Sequence, residues 1–127
     1  RRAEAPAAPQ LVLLVEDSPE LRENVREMLT RLGHNVIEAA SADEAEALAA
    51  LPGIGLILSD INLGGERTGP ELLEALADRG HPAAMRLMTS LPPGDDRRRA
   101  AAARFPLIAK PFTESALAGF LSTEAAA

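Results

Sequence analysis

No cysteine occurs in the 127 residues, which removes disulfides, thiol catalysis and thiolate metal sites. Positive charge is also scarce: 13 Lys and Arg face 19 Asp and Glu, for a net charge of −6. No nucleic-acid partner and no membrane contact are expected on that balance. No apolar run approaches the roughly 20 residues needed to span a bilayer, and no signal-peptide pattern is present. These absences suit a cytoplasmic location. The apolar share of 46% and charged share of 25% are ordinary, so one globular domain with a single proper core is expected. The chain starts at Arg1 instead of Met, which points to a fragment or processed chain.

The stretch from Ile54 to Gly65 organises the rest. Its apolar run, Ile54 to Leu58, stops abruptly at Ser59 and Asp60, with Pro52 and Gly53 before and Gly64 and Gly65 after. Such a run reads as a strand buried on both faces, which puts Asp60 at its carboxyl end. Earlier, Leu11 to Val15 forms a similar run and ends in Glu16 and Asp17. Ser18 and Pro19 match a helix cap and first helical position. Leu21, Val25, Met28, Leu29 and Leu32 then recur at helical spacing, and Gly33 supplies the stop. Asn35 to Ala39 is a short strand, followed by a helix carrying Ala45, Leu48 and Ala49 behind a capping box of Ser41 and Glu44. Gly69 and Pro70 introduce a helix with Leu72, Leu73 and Leu76 inward and Gly80 at its close.

A fourth strand, Ala84 to Met88, ends in Thr89 and Ser90. A loop and an Ala/Arg-rich helix over Asp95 to Arg104 follow. Pro106 to Ala109 reads as a fifth strand ending in Lys110, and Thr113 caps a last helix with Leu117, Phe120 and Leu121. Five β-α alternations imply an α/β fold: a single doubly wound five-stranded parallel sheet with helices on both faces. Residues 1–9 read as an Ala/Pro-rich linker, 10–122 as the domain and 123–127 as a tail.

In a parallel sheet the carboxyl ends of the strands share one edge, where α/β folds bind ligands. Glu16, Asp17, Asp60, Thr89, Ser90 and Lys110 therefore converge. Three carboxylates at such distances repel unless a cation neutralises them. Oxygen ligands without His or Cys favour Mg²⁺ over zinc or copper. An ammonium and a hydroxyl beside that metal make a seat for a tetrahedral anion such as phosphoryl. The chemistry indicated is phosphoryl transfer, with Asp60 as nucleophile or metal ligand.

The set Glu16-Asp17, Asp60, Thr89-Ser90 and Lys110-Pro111-Phe112 resembles the receiver domain of two-component response regulators, over Leu11 to about Leu121. The resemblance implies a flavodoxin-like strand order, 2-1-3-4-5, and a role for each residue. Asp60 would accept the phosphoryl group from a histidine kinase or phosphotransfer domain. Asp17 would bind Mg²⁺ directly, Glu16 would help through water, and the backbone carbonyl of Asn62 would complete the protein's share of the shell. Thr89 would bond one phosphoryl oxygen and act as the switch, Lys110 would pair with another, and Pro111 would follow a cis peptide. Self-dephosphorylation is the enzyme-like activity the resemblance allows. The Gly-Gly loop looks like receivers at the tails of hybrid histidine kinases, in which case the parent chain is itself a kinase; a stand-alone receiver is the main variant. With only STEAAA after the last helix, no DNA-binding effector is expected on that side.

The site residues also have plain structural readings. Glu16 and Asp17 can serve the helix dipole, Thr89 and Ser90 can be loop hydroxyls, and Lys110 a solvated charge. Arg97, Arg98 and Arg99 read as a solvated helix face, and His34 and His81 as structural. Departures from the common receiver pattern are present too. The loop INLGGERTG lacks the Met-Pro many receivers carry, Leu107 stands where Tyr or Phe is usual, and no Gly-Ala turn precedes the fifth strand. The threonine-coupled aromatic switch is therefore not expected, and output through that face differs or is absent. Two other readings compete. An Asp-nucleophile phosphatase of haloacid dehalogenase type wants a second acid where this chain has Asn62. A non-phosphorylated pseudo-receiver acting as a docking module would have no use for clustered carboxylates.

Overall fold

A computed structural model of the protein describes residues 8–122. The expected linker and tail lie outside the described residues, except for residues 8 and 9, which carry no regular structure. Ten elements alternate: β1 (Leu11–Val15), α1 (Pro19–Arg31), β2 (Asn35–Ala39), α2 (Ala42–Leu48), β3 (Ile54–Asp60), α3 (Gly69–Asp78), β4 (Ala84–Thr89), α4 (Asp96–Ala102), β5 (Leu107–Ala109) and α5 (Glu114–Ser122). The five strands form one sheet in the order β2-β1-β3-β4-β5, and every pairing is parallel.

The continuous apolar runs are explained by burial on both faces of the sheet. Leu13, Val15, Ile57 and Leu87 face a core with Ala42, Ala45, Leu72, Leu73, Leu76 and Ala101, from α2, α3 and α4. Their neighbours Val12, Leu14, Leu58 and Met88 face Val25, Leu29, Leu117 and Leu121, from α1 and α5. Each buried Val, Leu, Ile or Met among them contributes on the order of 1.5–3 kcal/mol by leaving water. Successive strand residues thus stabilise opposite layers, which clamps β1 and β3 at the centre of the molecule.

Helix ends follow local chemistry. The Ser18 hydroxyl accepts from the Leu21 N–H, with Pro19 in the first turn. Gly33 and Gly80, the expected stops, adopt left-handed φ of 98° and 80°. Beyond each, a histidine N–H returns to the last turn, His34 to the Leu29 carbonyl and His81 to that of Leu76, both at 3.0 Å. Their rings also serve backbone: His34 Nδ1 accepts from Gln10 N–H, His81 Nδ1 accepts from Ala83 N–H, and His81 Nε2 donates to the Ala49 carbonyl.

The sequence reading needs correction at three places. The Ser41 hydroxyl accepts from Glu44 N–H, but the Glu44 carboxylate reaches past Ser41 to the Ala40 N–H at 2.7 Å, so the reciprocal box does not close. A closed box caps α3 instead, between Thr68 and Glu71. Strand β5 begins at Leu107 and not at Pro106. Pro106 has no N–H to give the ladder, although its carbonyl accepts from Leu87 at 2.8 Å. Helix α4 is shorter than the run Asp95 to Arg104, because Asp95 is its cap and accepts from Arg97 N–H.

Gly69 lies hard against the end of β3: a Cβ there would overlap the carbonyl oxygen of Asp60. Gly119, in α5, has nothing within 4 Å of that direction. Gly69→Ala is expected to destabilise the fold by about 1–3 kcal/mol, whereas Gly119→Ala stabilises it by about 0.5–1 kcal/mol. Urea unfolding of both variants measures the opposite signs; a stabilised Gly69→Ala contradicts the packing described.

Candidate functional site

Two strands deliver three carboxylates to one edge. Glu16 and Asp17 follow β1, and Asp60 is the last residue of β3. Their oxygens lie within 4.8 Å of one another. Glu16 is 1% exposed and Asp60 8%, while Asp17 faces solvent. From β5, the Lys110 ammonium reaches Glu16 Oε1 at 2.9 Å and Asp60 Oδ2 at 3.3 Å. The other Glu16 oxygen accepts from Ser18 N–H at 3.1 Å. The Lys110–Pro111 peptide is cis, as the resemblance implied.

The electrostatics are unbalanced. Burial raises the pKa of Glu16 above the usual carboxylate range, although its bonds with Lys110 and Ser18 pull the other way. Burial also raises that of Asp60, opposed by Lys110 and reinforced by the nearby Asp17 charge. For Lys110, burial would lower the pKa, but the bond to Glu16 and the charges of Asp60 and Glu16 outweigh it, and the net direction is upward. Burial is the main reason the two carboxylates are raised, and one ammonium among three acids does not offset it, while the same acids hold the ammonium charged. The surplus of two negative charges matches one divalent cation. The donor atoms are hard carboxylate oxygens, which fit Mg²⁺.

The remaining predicted residues lie at or just beyond the ends of β3 and β4. Thr89, 1% exposed, ends β4, and its hydroxyl accepts from Leu91 N–H at 3.0 Å. Ser90 lines a groove of about 230 Å³ with Leu21, Asn24, Met28 and Phe112 that reaches Lys110. Asn62, two residues beyond Asp60, borders a cavity against α4 with Arg97 and Arg104. Leu107 is partly buried and, like Leu91 and Phe105, packs against the core layer formed with α2, α3 and α4. The arginine run is engaged in local bonds: Arg97 with Asp95, Arg98 with the Leu91 carbonyl and Arg99 with Asp96.

Two supporting residues escaped the sequence reading. Arg22 donates to the Glu16 carbonyl at 2.8 Å and to Glu38 at 3.2 Å, tying α1 to the end of β1 and to β2. Its place on the polar face of a helix gave no signal of this. Arg67, in the loop after Asp60, bonds Asp43 and Glu46 of α2 at 2.6 and 2.7 Å.

The family model of the response regulator receiver domain matches residues 12–121. Similar solved structures include the chemotaxis protein CheY4 of Vibrio cholerae, 27% identical over 90% of this chain and 97% of that one, with a TM-score of 0.77. Another is the receiver domain of a Pseudomonas aeruginosa sensor histidine kinase, with a magnesium ion coordinated in its active site cleft. It is 26% identical over 90% of this chain and 95% of that one, with a TM-score of 0.78. A Burkholderia pseudomallei response regulator bearing a phosphorylated aspartic acid, a calcium ion and citrate shares the fold. Its identity is 24%, over 92% of this chain and 69% of that one, at a TM-score of 0.78. No curated protein matches the chain.

The raised carboxylates make a stability prediction. An acid whose pKa is raised in the fold holds its proton better native than unfolded. Stability therefore falls as pH rises from the ordinary carboxylate value through the raised one. Asp60→Asn keeps the side chain's shape and removes one repelling charge. In metal-free buffer at pH 7 it is expected to gain about 1 kcal/mol, raising the Tm by roughly 3–6 °C. That advantage shrinks as pH falls and wild-type Asp60 takes up its own proton. Thermal melts in chelator across this range measure it, and a variant less stable than wild type at pH 7 contradicts the assignment of repulsion.

Proposed function

The chain belongs to the response regulator receiver family, and from this membership we propose that it accepts a phosphoryl group on Asp60 from a histidine kinase or phosphotransfer domain. The observation that carries the reading is the meeting of Glu16, Asp17 and Asp60 with Lys110 at the carboxyl ends of three strands. An Asp60 carboxylate oxygen attacks phosphorus on a donor phosphohistidine. The new P–O bond forms as the P–N bond breaks, and the imidazole leaves. The product is an aspartyl phosphate, and its attack by water returns Asp60 and inorganic phosphate.

Asp17 and Asp60 would hold Mg²⁺, with Glu16 assisting through water and the Asn62 carbonyl completing the protein ligands. When bound, the cation supplies positive charge against the oxygens of the phosphoryl group. The chain's own residues do the rest. Lys110 is already held between Glu16 and Asp60, so its ammonium is positioned to offset an added phosphoryl charge. The Thr89 hydroxyl accepts from Leu91 N–H, which leaves its hydrogen to donate to a phosphoryl oxygen. The groove beside Lys110, with Leu21 43% exposed at its rim, supports approach of the donor along α1. The dehalogenase-type phosphatase reading is not favoured: Asn62 cannot transfer a proton where that chemistry needs an acid.

Phosphorylation biases a receiver between two states through contacts made only by the phosphorylated form. Leu107 packs in the core without a hydroxyl to bury or expose, so it adds little to the gap between those states.

Two experiments test the proposal. With a small-molecule phosphodonor and Mg²⁺, wild type is expected to incorporate acid- and base-labile phosphate, and Asp60→Asn to incorporate none. Undiminished labelling of the variant would overturn the reading. Amide NMR with and without beryllofluoride is expected to concentrate shifts in the loops after Asp60 and Thr89. Contiguous shifts of equal size through Arg97 to Leu107 would instead reveal a switch that works without an aromatic ring.

A further inference from the structure

The loop between β3 and α3 meets the acidic cluster at Gly64. On one side of this residue, Leu63 is 4% exposed and packed in the core. On the other, Arg67 is bonded to Asp43 and Glu46 of α2. Between these anchors Gly64 adopts a φ of 73°, and a Cβ there would stand 2.6 Å from Asp17 Oδ2 and 3.5 Å from its Cγ. The neighbouring Gly65 has nothing within 4 Å of the same direction. The clash at Gly64 is therefore specific to one residue and to one carboxylate.

What yields under such a clash follows from the surroundings. Glu16 is fixed by Lys110 and by Ser18 N–H, and Asp60 is the final residue of a buried strand. Asp17 is exposed, and its carboxylate is the far end of a short, rotatable side chain. Moving it costs the fold little and costs a metal site one of its ligands.

We propose that Gly64 is a positioning residue for the cation site: its missing side chain leaves the room in which the Asp17 carboxylate points toward Asp60 and Glu16. The inference rests on the function proposed above and adds a steric requirement in the loop, at a residue that touches neither the phosphoryl group nor the metal through a side chain. Gly80 supplies the control. Its φ is 80° and nothing lies within 4 Å of its Cβ direction, so Gly80→Ala carries similar backbone strain far from the cluster.

The test titrates Mg²⁺ alone into the full chain, reads the amide shifts after β1 and β3, and adds thermal melts in chelator. Gly64→Ala is expected to weaken Mg²⁺ binding by about tenfold or more. Gly80→Ala is expected to lose comparable thermal stability and keep wild-type affinity, and Gly65→Ala to keep it as well. Should Gly64→Ala fail to fold, Gly64→Asn tolerates the left-handed backbone, carries the same Cβ, and is expected to weaken binding likewise. Wild-type affinity in the folded Gly64 variant overturns the inference and leaves the phosphoacceptor reading standing. An equal loss of affinity in Gly80→Ala also overturns it, by assigning the effect to backbone strain. A wild-type chain whose site does not respond to Mg²⁺ overturns the inference and the cation site together.

Discussion

A single ammonium shared among buried carboxylates sets the terms for this molecule. Lys110 bonds Glu16 across 94 residues of sequence and also contacts Asp60, so it joins the edge strand β5 to the two central strands. It cannot neutralise all three acids, and the site retains excess negative charge in a setting that disfavours it. The same excess is the charge that the proposed cation would offset. Buried carboxylates of this kind are disfavoured by their surroundings, and such groups cluster at functional sites.

That arrangement is possible because the sheet is parallel. All five strands end at one edge, and the pairing of Asp60 with Met88, and of Thr89 with Ala109, fixes their relative heights. The strands behind those ends have little freedom. Leu13, Leu14, Ile57 and Leu58 are wholly buried, and neighbours along a strand pack against different helical layers. A slip of one residue would turn every side chain to the wrong face. The precision of the site is thus borrowed from the hydrophobic packing beneath it.

Much of this was legible in the sequence because the signals were local or periodic. Apolar runs, the acids that end them, and the stops at Gly33 and Gly80 needed no tertiary information. Strand order came from the family resemblance. What escaped depended on distant partners. Arg22 looked like any polar helix residue, yet it holds the Glu16 carbonyl. Glu44 has the spacing of a capping box, but the chain leaving β2 offers it the Ala40 N–H. Gly69 read as a helix start, whereas its lack of a side chain matters because the Asp60 carbonyl lies against it. Gly64 read as half of a loop signal, and only its three-dimensional neighbour distinguishes it from Gly65.

The brevity of β5 bears on how copies of this chain behave toward one another. An open sheet has two lateral margins, and an unpaired margin is a template on which another chain can add a strand. Here one margin is three residues long and runs into Pro111, which has no N–H to offer. The other, β2, carries Glu38 with Arg22 and Arg26 gathered around it. Neither margin gives a second molecule a long, uncharged ladder to extend. The sheet thus disfavours edge-to-edge aggregation at one margin by brevity and at the other by the charges gathered at Glu38.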